Sequence, residues 1–166
     1  MDCLKEYGKK ILSDLVIERT IDILPESVDI KCIEQTIEYI SKIVNIDFSL
    51  YNMYFCEKEN ITGFKMKWHV DDAQLIKHKT GKAFPDQIIV SDKKVLNYNN
   101  KKPKYTCIIY LSEYMKDFSG GTIEFVNQII EPKNRMFIFF DSKEVHRVNI
   151  IKNGIRKNYL IKFYEK

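Results

Sequence analysis

From Leu50 onward the chain is a succession of short runs rich in Ile, Val, Phe and Tyr, separated by polar or Gly/Pro breaks. That pattern constrains the fold more than any other feature. The runs are Tyr51 to Cys56, Phe64 to Trp68, Tyr105 to Leu111, Thr122 to Val126, Met136 to Phe140, Glu144 to Ile151 and Tyr159 to Tyr164. Within one of them Phe64, Met66 and Trp68 alternate with Lys65 and Lys67, the period of a strand with one buried face. The segment Glu57-Lys58-Glu59-Asn60 reads as a polar turn, and Gly120-Gly121, Pro132 and Gly154 punctuate the rest. So many short strands predict a sandwich or barrel.

Ahead of the strands the period changes. Leu4, Ile11, Leu12 and Leu15 recur at helical spacing and predict an amphipathic helix over residues 3–18. After Pro25, Ser27 or Asp29 could cap a second helix reaching about residue 44, with Ile30, Ile33, Ile37 and Ile40 as its apolar face. Both stripes are expected to brace one side of the sheet. The 166 residues fit one domain, with supporting helices over 1–48 and a β core over 50–166. Residues 72–104 interrupt that core as a long excursion holding one short strand or hairpin, around Ile88-Ile89-Val90.

Composition removes several classes. No stretch approaches the ~20 apolar residues that span a bilayer, and the first residues lack a secretory apolar region. Cys3, Cys32, Cys56 and Cys107 form no C-x-x-C pair or regular framework. Reduced thiols and a soluble, intracellular, cytoplasmic protein are therefore expected. A net charge of +4, from 27 basic and 23 acidic residues, permits an acidic partner without implying one. No basic stripe interleaved with aromatics marks a nucleic-acid surface.

Chemistry concentrates at Trp68-His69-Val70-Asp71, with His146 far downstream and Arg156 ten residues beyond it. Two of only three histidines fall into this pattern. On a strand, residues i and i+2 share a face, so His69 and Asp71 can converge on one ion. His146 joins them if its strand lies across the barrel. Two imidazoles and one carboxylate are the ligand set of a non-haem iron(II) site that activates oxygen, and zinc could take similar groups. Parity poses a problem, because His69 and Asp71 share the register of Lys65 and Lys67. Either the strand bulges before His69, or Phe64, Met66 and Trp68 pack outward against the helices. The second arrangement would make Trp68 a core residue.

The order of H-x-D, the Tyr-Leu strand Thr106 to Ser112, Gly120-Gly121 with Thr122 to Phe125, and the closing stretch Phe137 to Phe163 resembles the iron(II)- and 2-oxoglutarate-dependent oxygenases. Within them it is most similar to the prolyl 4-hydroxylase branch, over residues 50–166. The resemblance implies a double-stranded β-helix, or jelly-roll, core braced by helices. It makes His69, Asp71 and His146 the iron ligands, Arg156 the partner of the distal 2-oxoglutarate carboxylate, and Tyr110 a second contact to it. Implied with them are Fe(II), 2-oxoglutarate and O2, with ascorbate as a reductant. The implied reaction is hydroxylation of a C–H bond with release of succinate and carbon dioxide. A peptidyl proline is the expected substrate. Because residues 72–104 replace a gap that is short in the hypoxia-sensing members, a nucleobase, another amino acid or a small molecule stays open. A silent jelly-roll interaction module is the alternative of a different class. Around the site, Arg135, Asp141 and Arg147 could frame the mouth, Glu124 follows the glycine pair, and His78 could line the entrance.

Overall fold

The computed structural model describes residues 19–71 and 102–166, together with the backbone of a short hairpin between them. The expected helix over 3–18 lies outside the described residues. In chain order the elements are β1 (Arg19–Ile23), α1 (Ile33–Val44), a single 3-10 turn (Phe48–Leu50), β2 (Tyr51–Ile61) and β3 (Met66–His69). The hairpin β4 (Gln87–Ile89) and β5 (Val95–Asn97) follows, as expected for the excursion. Then come β6 (Tyr105–Tyr110), β7 (Phe118–Gly120), β8 (Ile123–Phe125), β9 (Gln128–Ile130), β10 (Met136–Asp141), β11 (His146–Val148) and β12 (Ile151–Glu165).

Two antiparallel sheets carry the architecture. The major one runs β1-β10-β6-β12-β2, with β7 alongside the first part of β12, and the minor one runs β3-β11-β8-β9. Alternation along the central strands divides the interior in two. Cys107, Ile109, Phe137, Phe139, Ile161 and Phe163 pack with Ile40 and Val44 of α1 and with Phe48. From the opposite face, Tyr110, Met136, Ile138 and Phe140 meet Ile123, Phe125 and Ile130 of the minor sheet. This is a mostly β, helix-braced fold of the class that the strand pattern predicted, and it is the jelly roll that the family resemblance implied.

Several local expectations are corrected. The N-cap of α1 is Cys32, and neither Ser27 nor Asp29 takes that role. Asp29 instead closes a turn, its carboxylate accepting from the Lys31 N–H and its carbonyl from the Cys32 N–H. The deepest positions of α1 are Thr36, Ile40 and Val44 rather than the isoleucine stripe alone. Thr36 tolerates burial because its hydroxyl lies 3.0 Å from the Cys32 carbonyl. The helix stops at Asn45, whose left-handed backbone (φ 55°) suits asparagine.

Glu57 to Asn60 is not a turn. It continues β2, which pairs with β12 from Tyr51 to Ile61, and an edge strand accepts charged residues. β12 likewise runs through Gly154 without breaking. β1 occupies a segment with no strand signal of its own, held by pairing with β10. Among the described residues no helix is long and apolar enough to cross a membrane, and Cys32, Cys56 and Cys107 are free thiols.

Candidate functional site

The parity problem at His69 is solved by a bulge. Pairing between β3 and β11 sets His69 opposite His146 and Met66 opposite Val148, so three residues on one strand span two on the other. The extra residue returns His69 to the face of the buried His146 and Val148. Trp68 goes to the other side. It is 44% exposed, and the Arg147 guanidinium lies 4.7 Å from its ring centroid. The expectation that Trp68 packs in the core against the helices is therefore corrected, since α1 covers the other sheet.

Three ligand-bearing groups meet at this bulge. One ligand atom each from His69, Asp71 and His146 lies within 4.8 Å of the others. Asp71 Oδ1 is 3.6 Å from His69 Nε2 and 3.9 Å from His146 Nε2. The Nδ1 atoms face carbonyls, His69 that of Lys67 at 2.7 Å and His146 that of Glu144 at 2.8 Å. A carbonyl only accepts, so each Nδ1 carries the proton and each Nε2 keeps a lone pair for an ion. Burial holds the His146 pKa below its usual value, with Asp71 opposing, which favours the neutral ligand form. Asp71 is fixed on its far side. Its Oδ2 accepts from the Thr106 hydroxyl at 2.8 Å and its N–H donates to the Ser142 carbonyl. Oδ1 is left turned toward both imidazoles, as metal binding requires.

A second polar constellation lies along β12. Arg156 is 5% exposed and donates to the Gly121 carbonyl at 2.9 Å and to Asn60 Oδ1 at 3.0 Å. Its Nε has no hydrogen-bond partner. Among the described residues no carboxylate pairs with it, an expensive arrangement for a buried cation unless an anion completes it. Tyr110 is fully buried nearby, and burial pushes its hydroxyl up to about 12, against the opposing pull of Arg156. It therefore stays a hydrogen-bond donor at neutral pH. Asn158, opposite Tyr110 in register, is also buried and its Oδ1 is unpartnered. The Phe64 ring, with its centroid 5.9 Å from the Arg156 guanidinium carbon, supplies an apolar wall.

The glycine pair serves this constellation through its backbone. Gly120 and Gly121 take φ of 68° and 63°, and a Cβ on Gly120 would collide with the Ile150 carbonyl. That tight bend aims the Gly121 carbonyl at Arg156. The residues proposed to frame the mouth do other work. Arg135 ties down the Leu24, Pro25 and Val28 carbonyls, the last by a short contact. Asp141 accepts from the Lys143 N–H in a turn. Arg147 pairs with Glu124 at 2.7 Å beside Trp68. His78 lies outside the described residues. Asn60, Thr106, Asn158 and Lys162 were not singled out by sequence. The last three share the inward register of Tyr110 or Arg156, a signal that alternate-residue counting could have caught. Asn60 was hidden in the supposed turn.

Comparison with known proteins agrees with this geometry. Residues 51–165 match the family model of the 2OG-Fe(II) oxygenase superfamily, and the chain belongs to that family. Over 65 residues it is 37% identical to 2-oxoglutarate and iron-dependent oxygenase domain-containing protein 3 of Xenopus tropicalis and of Homo sapiens. Those matches cover 36% of this chain and 20% of each relative, so the chain matches about a fifth of their length. Similar solved structures include a prolyl-4-hydroxylase of Pseudomonas putida, with TM-score 0.58 at 12% identity, covering 98% of this chain and 95% of that one. A viral collagen prolyl hydroxylase from Paramecium Bursaria Chlorella virus-1 gives 0.57 at 13% identity, covering 100% and 91%. At these identities the likeness is one of fold. The protein is a 2-oxoglutarate- and iron-dependent oxygenase by family.

Proposed function

We propose that the protein hydroxylates a prolyl residue of a protein or peptide, using Fe(II), 2-oxoglutarate and O2. In this reading His69, Asp71 and His146 hold the metal, and Arg156 with Tyr110 anchors the distal carboxylate of 2-oxoglutarate. The observation that carries it is the buried Arg156, with a free Nε and no acidic partner among the described residues, in the same barrel as three converging ligand atoms. A guanidinium suits the role because its fork can pair both oxygens of a carboxylate.

Bound iron with 2-oxoglutarate and O2 supplies the oxidising power that hydroxylates a C–H bond as succinate and carbon dioxide are released. The chain's own residues do the positioning. Protons on the two Nδ1 atoms keep both Nε2 lone pairs on the ion, and Thr106 keeps Asp71 Oδ1 turned inward. Gly121 and Asn60 hold the guanidinium in one orientation, ready for the distal carboxylate. Phe64 beside Arg156 and Ile108 on the inner face would offer apolar walls to the cosubstrate. Ascorbate is the reductant expected to keep the metal ferrous.

Proline as the substrate is supported by the shared fold of the two prolyl hydroxylases. The test is succinate release, measured with proline-containing peptides, methylated oligonucleotides and free amino acids side by side. Turnover with peptides, lost when the proline is replaced by alanine, is expected. Turnover only with oligonucleotides or small molecules would overturn the proline assignment and leave the oxygenase chemistry standing.

A further inference from the structure

One charged side chain at the centre is used by nothing above. Lys162 lies on β12 in the register of Arg156 and Asn158, opposite Thr106 on β6. Its neighbours Ile161 and Phe163 are fully buried in the helix-side core, so Lys162 faces the barrel interior. The side chain is 17% exposed, and its Nζ lies 3.7 Å from Asp71 Oδ1. That oxygen is the one turned toward both imidazoles, while Oδ2 is taken by Thr106. The ammonium therefore stands on the metal side of the carboxylate.

We propose that Lys162 makes metal and 2-oxoglutarate binding cooperative, its ammonium opposing a divalent ion alone and favouring that ion once an anionic cosubstrate joins it. This rests on the metal and cosubstrate assignments above. A divalent ion on Asp71 Oδ1 would lie a few ångströms from a fixed positive charge, and Lys162 would also have to share its carboxylate with it. Both effects weaken binding of the bare ion. A carboxylate brought to the ion by 2-oxoglutarate reverses the sign, because the ammonium then gains a second anion in a site of low dielectric. Coupling of this kind is reciprocal, so the metal would strengthen cosubstrate binding by the same factor. The consequence is a site that resists loading with metal alone and is completed when both components are present.

A purely structural role predicts the opposite sign. If Lys162 only steadied Asp71, removing it would loosen the ligand set and weaken metal binding. The experiment is calorimetric titration of the full chain with Mn(II), a redox-silent stand-in for iron, with and without 2-oxoglutarate, in the wild type, Lys162→Met and Lys162→Arg. Circular dichroism checks that each is folded. Lys162→Met should bind Mn(II) alone about tenfold more tightly and lose about tenfold of the enhancement by 2-oxoglutarate. Lys162→Arg, which keeps the charge, should retain the wild-type pattern. Unchanged or weaker binding of Mn(II) alone by Lys162→Met would overturn the proposal, as would a full enhancement persisting in that variant. A wild type that binds Mn(II) but gains nothing from 2-oxoglutarate would overturn it through the cosubstrate assignment instead, which separates the two failures.

Discussion

The strands β6, β10 and β12 have two faces, and the same backbone builds them from different chemistry. Toward α1 they present Cys107, Ile109, Phe137, Phe139, Ile161 and Phe163, fully buried side chains without a hydroxyl, amide or charge, with the tyrosines Tyr105 and Tyr159 only partly buried at the margin. Toward the minor sheet, the adjacent strands β6 and β12 present Thr106, Tyr110, Arg156, Asn158 and Lys162, with Ile138 and Phe140 of β10 on the far side of β6. The first face stabilises the fold by burying apolar area. The second carries buried groups that the protein leaves incompletely paired, notably Arg156 Nε and Asn158 Oδ1. Arg19 and Thr20 of β1 also carry buried atoms without a hydrogen-bond partner, but the pair on β12 stands two residues apart beside Tyr110, where the proposed cosubstrate would complete it.

Breaking the apolar face should have the largest effect. Phe139 is fully buried and its ring packs against Phe48, Tyr105 and Phe163. Phe139→Ala should destabilise the protein by about 3–5 kcal/mol in chemical denaturation, with 2-oxoglutarate affinity unchanged at temperatures where it stays folded. A loss of cosubstrate binding in the folded variant would show that the two faces are not separable.

Arg156→Met sharpens the contrast from the other side. Replacing an incompletely paired buried cation with an apolar side chain of similar length should leave thermal stability unchanged or raised. The same change should weaken 2-oxoglutarate binding by about 2–4 kcal/mol, read by titration calorimetry. A large drop in stability with cosubstrate affinity preserved would reverse the assignment of this face. Asn60→Ala, which removes one hydrogen bond to the guanidinium, should act in the same direction by about 1 kcal/mol.

The smallest effect concerns pH. Burial depresses the folded-state pKa of His146 below its usual 6.5. The unfolded chain then binds more protons than the folded one as pH falls below that value. Stability from this group is present above about pH 6.5 and is lost as pH drops toward the depressed pKa. Thermal melts of the metal-free protein between pH 7.5 and 5.5 should fall in midpoint, and the fall should be reduced in His146→Gln.

The sequence made one of these faces easier to read than the other. The apolar runs Met136 to Phe140 and Tyr105 to Leu111 announced buried strands, and the H-x-D triplet with His146 announced a site. What it could not supply was set by pairing. The bulge in β3 exists only against β11, so parity alone pointed His69 outward and Trp68 inward. Asn60 became a partner of Arg156 only because β2 runs on beside β12, through four polar residues that locally resemble a turn. β1 has too short a pattern to signal itself, and it is held by the edge of β10. Lys162 was legible in principle, six residues and three alternations beyond Arg156, but the break assumed at Gly154 hid the continuity of that strand.

The central claim is that one face of the barrel is completed by iron and 2-oxoglutarate together. Anaerobic titration of the protein with Fe(II) and 2-oxoglutarate, followed by the visible charge-transfer absorption of a ferrous 2-oxoglutarate chelate, tests it most directly. The wild type should develop the band saturably at one equivalent of metal, while Asp71→Ala should not develop it and Arg156→Met should need far more cosubstrate. A wild type that binds Fe(II) but develops no such band at any 2-oxoglutarate concentration would contradict the account.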